Sequence, residues 1–254
     1  MAVYSTKQEL EKIANYLLAY MKIPYFQDDS IPGKVMEKII SLVHDAKQLA
    51  TYDYVDVVKE GHHGWSIKST KDSTPLTWKR AKIANRNHLI AESLKSDEGL
   101  KKLGDSIIKF CNDHAEESIK KFNLKQIGYA RLIMFEDDTA IYFEKVLCEE
   151  SDPIIFNKDD YSWSWSTQKK PGKKEQLSAL HGKCIHTNKK VFAWHGQGEN
   201  QLHFSGDKEW WPKIKRPNTL GKINFSVDNH AIAFKLDSTK ADWDKLVELL
   251  NIPS

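Results

Sequence analysis

The segment YVDVVKEGHHGWSIKST, residues 54 to 70, limits the fold of this chain more than any other stretch. Tyr52 to Lys59 and Trp65 to Ser69 are rich in β-branched and aromatic residues, and the six residues from Lys59 to Gly64 hold two glycines. Two extended runs around such a turn predict a β-hairpin. Side chains alternate along a strand, so Ser66 and Lys68 share one face while Trp65 and Ile67 share the other. Asp56 precedes Ser66 by ten residues, a separation that two short strands and a tight turn fold back. Asp56 and Lys68 are therefore expected to converge.

The surroundings read as helices and further strands. Residues 5 to 22 begin with an S-x-x-Q cap and carry Leu10, Ile13, Leu17 and Leu18 at helical spacing. A polar break, FQDDSIPG, follows, and a second helix is expected from Gly33 to about residue 50, with Glu37 near its first turn. Residues 71 to 76 form a loop, and the pattern from 77 to about 122 is helical with a break at SDEG. IGYARLIMF (127 to 135) and AIYFEKVL (140 to 147) are strands around an EDDT turn. Beyond residue 150 come YSWSW, the lysine-rich QKKPGKK, the strands KVFAWH and NQLHF, and a closing helix from about 240 to 250. The expected class is α/β: a single domain over residues 1 to 254, with a central mixed sheet flanked by helices in about the first 150 and a β- and loop-rich elaboration after it.

A composition 40% hydrophobic and 29% charged, without an apolar run long enough to span a bilayer, predicts a soluble globular protein. The first residues, MAVYSTKQELEK, have no signal-peptide character, so a cytoplasmic location is expected. Cys111, Cys148 and Cys184 are too few and too scattered for a disulfide framework or a Cys-x-x-Cys zinc site. The net charge of +3 permits nucleic-acid binding without requiring it.

A carboxylate and an ammonium held together on a hairpin have two readings. One is a cross-strand ion pair, which contributes little to stability when exposed. The other is phosphodiester hydrolysis, in which the carboxylate holds Mg²⁺, the metal polarises the phosphate and acidifies its water, and the lysine positions or deprotonates that water. Asp56, the x-Lys pair ending in Lys68 on the next strand, and Glu37 on the preceding helix resemble the PD-(D/E)xK nuclease superfamily, and the small size is similar to its type II restriction endonucleases. The motif resemblance covers residues 33 to 70, and the order of helices and strands extends it to about 147.

That resemblance implies a restriction-endonuclease-like core. It makes Asp56 the central metal ligand, the backbone carbonyl of Ile67 a second, and Lys68 the catalytic lysine, with Glu37 reaching the site from its helix. The chain departs from the pattern at Ser66, where the family usually carries Glu or Asp. Glu37 is the first choice for the replacement acid, with Asp53 and Glu60 behind it. His62 and His63 are read as a solvated turn, because adjacent histidines rarely share one ion.

Three segments are candidates for contact with DNA. Lys79, Arg80, Lys82 and Arg86 spread over the expected helix start at 77 to 88, where they would meet phosphates. The window from 168 to 190 holds seven lysines, Lys169, Lys170, Lys173 and Lys174 among them, against one acid, Glu175. A loop of that charge would make binding steeply salt-dependent. Gln197, Asn200 and Gln201 lie between strands, and amides pair with adenine edges in the major groove. His195 and His203 with Asn200 raise a histidine-metal nuclease, but no ββα context surrounds them.

The expected function is a Mg²⁺-dependent, sequence-specific double-stranded DNA endonuclease of type II restriction kind. Cutting both strands at a symmetric site implies a homodimer, and a DNA methyltransferase encoded nearby is the expected partner gene. Two alternatives keep the fold: a repair or mobile-element endonuclease, and a DNA-binding module that has lost cleavage, for which Ser66 is the best argument.

Overall fold

The computed structural model describes residues 3–23, 30–50, 53–166, 178–226, 228 and 230–236. The expected closing helix near 240 to 250, the four loop lysines Lys169, Lys170, Lys173 and Lys174, and residues 26 to 29 of the FQDDSIPG break lie outside the described residues. The chain forms two compact units interleaved in sequence rather than divided near residue 150: Met1–Thr74, Phe122–Leu147 and Pro212–Ser254 make the first, Pro75–Lys121 and Cys148–Trp211 the second.

The first unit contains α1 (Lys7–Met21), α2 (Gly33–Val43), β1 (Lys47–Gln48), β2 (Val57–Lys59) and β3 (His63–Lys71). After the excursion into the second unit it continues with β5 (Gln126–Met134), β6 (Thr139–Glu149, its last two residues in the second unit), β11 (Ile223–Ser226) and β12 (Ala231–Lys235). The sheet is mixed and seven-stranded, in the order β1-β2-β3-β5-β6-β12-β11. β3 and β5 run parallel over nine residue pairs, whereas β1–β2, β2–β3, β6–β12 and β11–β12 are antiparallel.

Parallel strands need a long crossover, and residues 72 to 125 supply it. β5 is buried along nearly its whole length, as its continuous run of branched residues predicts. Leu10, Ile13, Ala14 and Leu17 of α1 and Met36, Ile39 and Ile40 of α2 form one core with Val57, Trp65, Ile67, Ala130, Leu132 and Tyr142. At roughly 1.5–3 kcal/mol for each fully buried large apolar side chain, this layer is the main source of the unit's stability.

The hairpin turn is set by Gly61, whose φ of +74° lies in the left-handed region that favours glycine. Gly64 is needed for space, since a Cβ there would stand 2.7 Å from Leu124 Cδ1.

Helix starts and ends depart from the sequence reading in three places. α1 is capped by Thr6, which forms a reciprocal capping box with Glu9. Ser5 is not the cap; its backbone N–H and hydroxyl both donate to the buried carboxylate of Glu144, at 2.6 Å each. α2 stops at Val43 and the chain passes directly into β1, so the helix expected up to residue 50 is shorter. His63 is not in a solvated turn: it opens β3, is buried, and sets its ring edge-on to Trp65.

The second unit holds β4 (Thr77–Arg80), α3 (Arg86–Ser93), α4 (Asp97–Phe122, whose last residue belongs to the first unit), β7 (Tyr161–Trp165), β8 (Leu180–Cys184), β9 (Lys190–His195) and β10 (Gln201–Phe204). Its five strands form the order β4-β10-β9-β8-β7, every described pairing antiparallel. The sequence TWKR is therefore a strand and not the start of a helix. One sheet face is closed by Trp78, Phe156, Phe192, Phe204 and Trp210, which meet at ring-centroid distances of 5.0 to 6.4 Å. Aromatic edge-to-face pairs of this kind contribute about 0.5–1.5 kcal/mol beyond area burial.

Candidate active site

In the register of β2 and β3, Val57 faces Trp65 and Val58 faces Gly64, and Asp56 lies immediately before β2. The Asp56 backbone N–H donates to the Trp65 carbonyl at 2.8 Å. Its side-chain Oδ2 accepts the Ile67 backbone N–H at 2.6 Å and lies 3.8 Å from Lys68 Nζ. A bond from a backbone amide to a carboxylate is worth about 1.5–3 kcal/mol, so the carboxylate is pinned against β3. Asp56 and Lys68 are both partly exposed, their side chains at 23% and 14%. The pair is thus half-sheltered, a setting in which it interacts more strongly than a surface pair.

Ser66 lies between them in sequence, fully buried, and its Oγ has no hydrogen-bond partner among the described residues. A buried hydroxyl in that state costs about 1–3 kcal/mol. On the adjacent parallel strand Lys68 has Arg131 as its register partner. Arg131 is 1% exposed and donates to the Leu132 carbonyl and to Thr70 Oγ1, both at 2.8 Å. Two cations therefore hold neighbouring positions on β3 and β5, and one of them, Lys68, lies beside the Asp56 carboxylate.

Glu37 is buried on α2, where its Oε2 accepts Lys34 Nζ at 2.6 Å and Gln48 Nε2 at 2.8 Å. Gln48 is the register partner of Val57, so it shares the sheet face that carries α2 and Trp65, opposite to that of Ser66 and Lys68. Asp53 is half-buried and Glu60 exposed. Among the described residues no three His, Cys, Asp or Glu side chains group into a metal-binding cluster. The arrangement around Asp56 is not an all-protein cage. It does suit a Mg²⁺ ion of the kind held by one carboxylate together with waters and substrate phosphate. The Ile67 carbonyl shares the strand edge from which its N–H reaches Asp56, and the Ser66 hydroxyl has coordination capacity to spare.

The second unit joins two of the three segments suspected of DNA contact. β4 pairs with β10, setting Arg80 opposite Gln201 and Lys79 opposite Leu202. Arg86, the first residue of α3, donates to Asn200 Oδ1 at 2.9 Å, and the Asn200 carbonyl accepts the Ala81 N–H at 2.8 Å. Arg80 lies 3.9 Å from Glu199, whose carboxylate also accepts Gln201 Nε2 at 2.7 Å. Lys82 and Gln197 are exposed. An open surface cleft of about 480 Å³ is lined by Ile83, Asn85, Arg86, Asn87 and His88. His195 and His203 do stand together, their ring centroids 4.9 Å apart, but with Gln201 beside His203 rather than a third metal ligand.

Sequence reasoning passed over a buried network in the first unit. Glu144 on β6 accepts from Ser5 N, Ser5 Oγ and, at 2.6 Å, the Tyr142 hydroxyl. Ser5 Oγ lies 3.1 Å from His44 Nε2, and His44 Nδ1 lies 3.7 Å from Glu9 Oε1. Burial pushes the Glu144 carboxyl above its ordinary range despite these donors, and burial pushes the His44 imidazole below its own. Comparison with protein-family models, with curated proteins and with solved structures gives no match to this chain.

Proposed function

We propose that the protein is a Mg²⁺-dependent, sequence-specific double-stranded DNA endonuclease of type II restriction kind, with its hydrolytic site in the first unit at Asp56, Ser66, Ile67 and Lys68. The observation that carries this reading is the 3.8 Å approach of Lys68 Nζ to Asp56 Oδ2, on the strand of a buried Ser66 hydroxyl that has no partner among the described residues. The order of elements supports it: a helix bearing Glu37, two antiparallel strands bearing Asp56 and Lys68, and a return strand, β5, parallel to the lysine strand. That order is the one the restriction-endonuclease-like core implies.

Asp56 and the Ile67 carbonyl would hold the metal, with the Ser66 hydroxyl offering a further oxygen; Glu37, expected to reach the site from its helix, instead binds Gln48 on the opposite face of the sheet and takes no part. When bound, Mg²⁺ supplies Lewis-acid polarisation of the phosphate and a more acidic water. Lys68 donates toward the attacking water or the phosphate oxygen and stabilises the charge that develops in the transition state. Asp56 keeps the lysine amine in place through their ion pair. In the second unit, Lys79, Arg80, Lys82 and Arg86 would neutralise phosphates, while Gln197, Asn200 and Gln201 offer amides to base edges. The loop lysines Lys169, Lys170, Lys173 and Lys174 add to this charge. Two-fold symmetric cutting calls for a homodimer, and a host methyltransferase would protect the genome.

The Ser66 position favours a second reading, a DNA-binding module that keeps the fold without cleaving. Incubating the purified protein with plasmid and phage DNA, with Mg²⁺ or with EDTA, separates the readings. Discrete fragments that need Mg²⁺ support the restriction enzyme, nicking at junctions supports a repair or mobile-element enzyme, and retention of intact DNA supports the binding module.

A further inference from the structure

The five-stranded sheet of the second unit has one face sealed by aromatic side chains and another that is polar. Register fixes what the polar face carries. Gln201 of β10 lies opposite both His195 of β9 and Arg80 of β4. His203 of β10 lies opposite Ala193, which lies opposite His181 of β8, which lies opposite Ser164 of β7. Three imidazoles from three adjacent strands therefore share one face, with His195 diagonal to both of the others. All three are half-buried rather than sealed.

Their surroundings are positive. Lys190 at the start of β9 acts on all three rings, and Lys183 of β8 acts on His181. Arg80 of β4 shares the face through its pairing with Gln201, and Arg86 follows at the start of α3. β7 contributes Ser162 and Ser164. Glu199, in the turn before β10, is an acid engaged by Arg80 and Gln201. A cluster of this composition repels itself. Burial lowers the affinity of each ring for protons, Lys190 lowers it further for all three, and His195 does so for His181 and His203, so the histidines are largely neutral near pH 7.

We infer that this face is a phosphate-binding surface for duplex DNA on which His181, His195 and His203 take up protons as the DNA docks. The inference rests on the DNA reading given above and deepens it by assigning contacts and a proton linkage to residues outside the hydrolytic site. Phosphate groups remove the repulsion that keeps the rings neutral, so binding raises their proton affinity. By reciprocity, protonation tightens binding. Affinity should therefore rise as pH falls from above the bound-state values toward the free-state values, which lie below the ordinary 6.5. One fully coupled proton changes affinity about tenfold per pH unit.

The test uses the full-length protein in EDTA, to prevent cleavage, and a fluorescent duplex of mixed sequence at constant ionic strength. Affinity is read between about pH 5.5 and 7.5, and proton uptake is measured by calorimetry in buffers of different ionisation enthalpy. Wild-type protein is expected to bind more tightly at the lower pH and to absorb protons. The double variant His195→Gln with His203→Gln should lose most of that slope, while His62→Gln, in the hairpin turn of the first unit, keeps it. Imidazole resonances of the unaltered protein, followed by NMR with and without the duplex, give the same readout without substitution and should titrate at higher pH in the complex. Duplex binding with no pH slope, or a slope unchanged in the double variant, overturns the inference and leaves the DNA reading standing. Proton uptake with a heparin fragment but not with the duplex overturns the choice of partner. Failure to bind duplex at any pH removes both.

Discussion

The amine of Lys68 stands 3.8 Å from Oδ2 of Asp56, and the same oxygen accepts the Ile67 N–H from the strand that carries the lysine. The carboxylate therefore fixes both the path of the chain entering β2 and the direction of the lysine. Its two tasks separate by substitution. Asp56→Asn keeps the shape but loses the charge, so the bond to Ile67 weakens. We expect a loss of about 1 kcal/mol in stability, read by denaturant titration, together with loss of Mg²⁺-dependent cleavage.

Ser66→Ala separates stability from activity in the opposite direction. Removing a buried hydroxyl that has no partner among the described residues should leave the fold as stable as before or raise its stability by up to about 1 kcal/mol, while cleavage falls. Thermal melts and initial cleavage rates on one preparation check it. A destabilised protein of undiminished activity would make the hydroxyl a structural group.

Glu37→Gln tests whether the helix acid takes part. Its Oε2 holds Lys34 and Gln48, so the variant retains shape and part of the bonding. Because Gln48 places this carboxylate on the sheet face opposite Lys68, we expect the Mg²⁺ requirement for cleavage to stay unchanged. A higher requirement would bring the helix acid back into the site.

The Glu144 network is a matter of stability. Glu144→Ala leaves the Ser5 N–H, the Ser5 hydroxyl and the Tyr142 hydroxyl without their acceptor in a buried place, at a cost on the order of 3 kcal/mol. Urea unfolding measures the loss. Cleavage at temperatures where the variant stays folded should persist, because none of these groups belongs to the hydrolytic site.

His44 gives the fold a pH dependence. Its imidazole binds protons less readily in the folded chain than at the ordinary 6.5, chiefly because it is buried. The unfolded state thus takes up more protons, and this contribution to stability is present above about pH 6.5 and lost as pH falls through the folded-state value. His44→Gln should flatten the stability profile in that window, as read by unfolding at a series of pH values. A profile unchanged by the substitution would place the dependence elsewhere.

What the sequence makes legible follows from the range of the interactions involved. The hairpin could be read because its alternation and its glycines act locally, and the strands at 126 to 134 and 139 to 149 because β-branched runs have few other outcomes. Thr77–Arg80 could not. Four residues carry little periodicity, and their strand state depends on pairing with Gln201–Phe204, more than a hundred residues away. Ser5 has the look of a helix cap, but its partner Glu144 is 139 residues distant. Arg131 left a signal that went unused: a lone charge within the apolar run IGYARLIM is costly to bury and so requires partners. Of the three sheet histidines, His195 and His203 stand out together in the sequence, but His181 left no signal, because strand register alone brings it to their face.

Lys68→Ala tests the central claim most directly. Plasmid cleavage and duplex binding are measured side by side for this variant and the unaltered protein, with Mg²⁺ present for cleavage and absent for binding. We expect cleavage to fall at least about 100-fold while duplex affinity and thermal stability stay close to those of the unaltered protein. A variant that still cuts DNA at a comparable rate would contradict the assignment of hydrolysis to the Asp56–Lys68 pair.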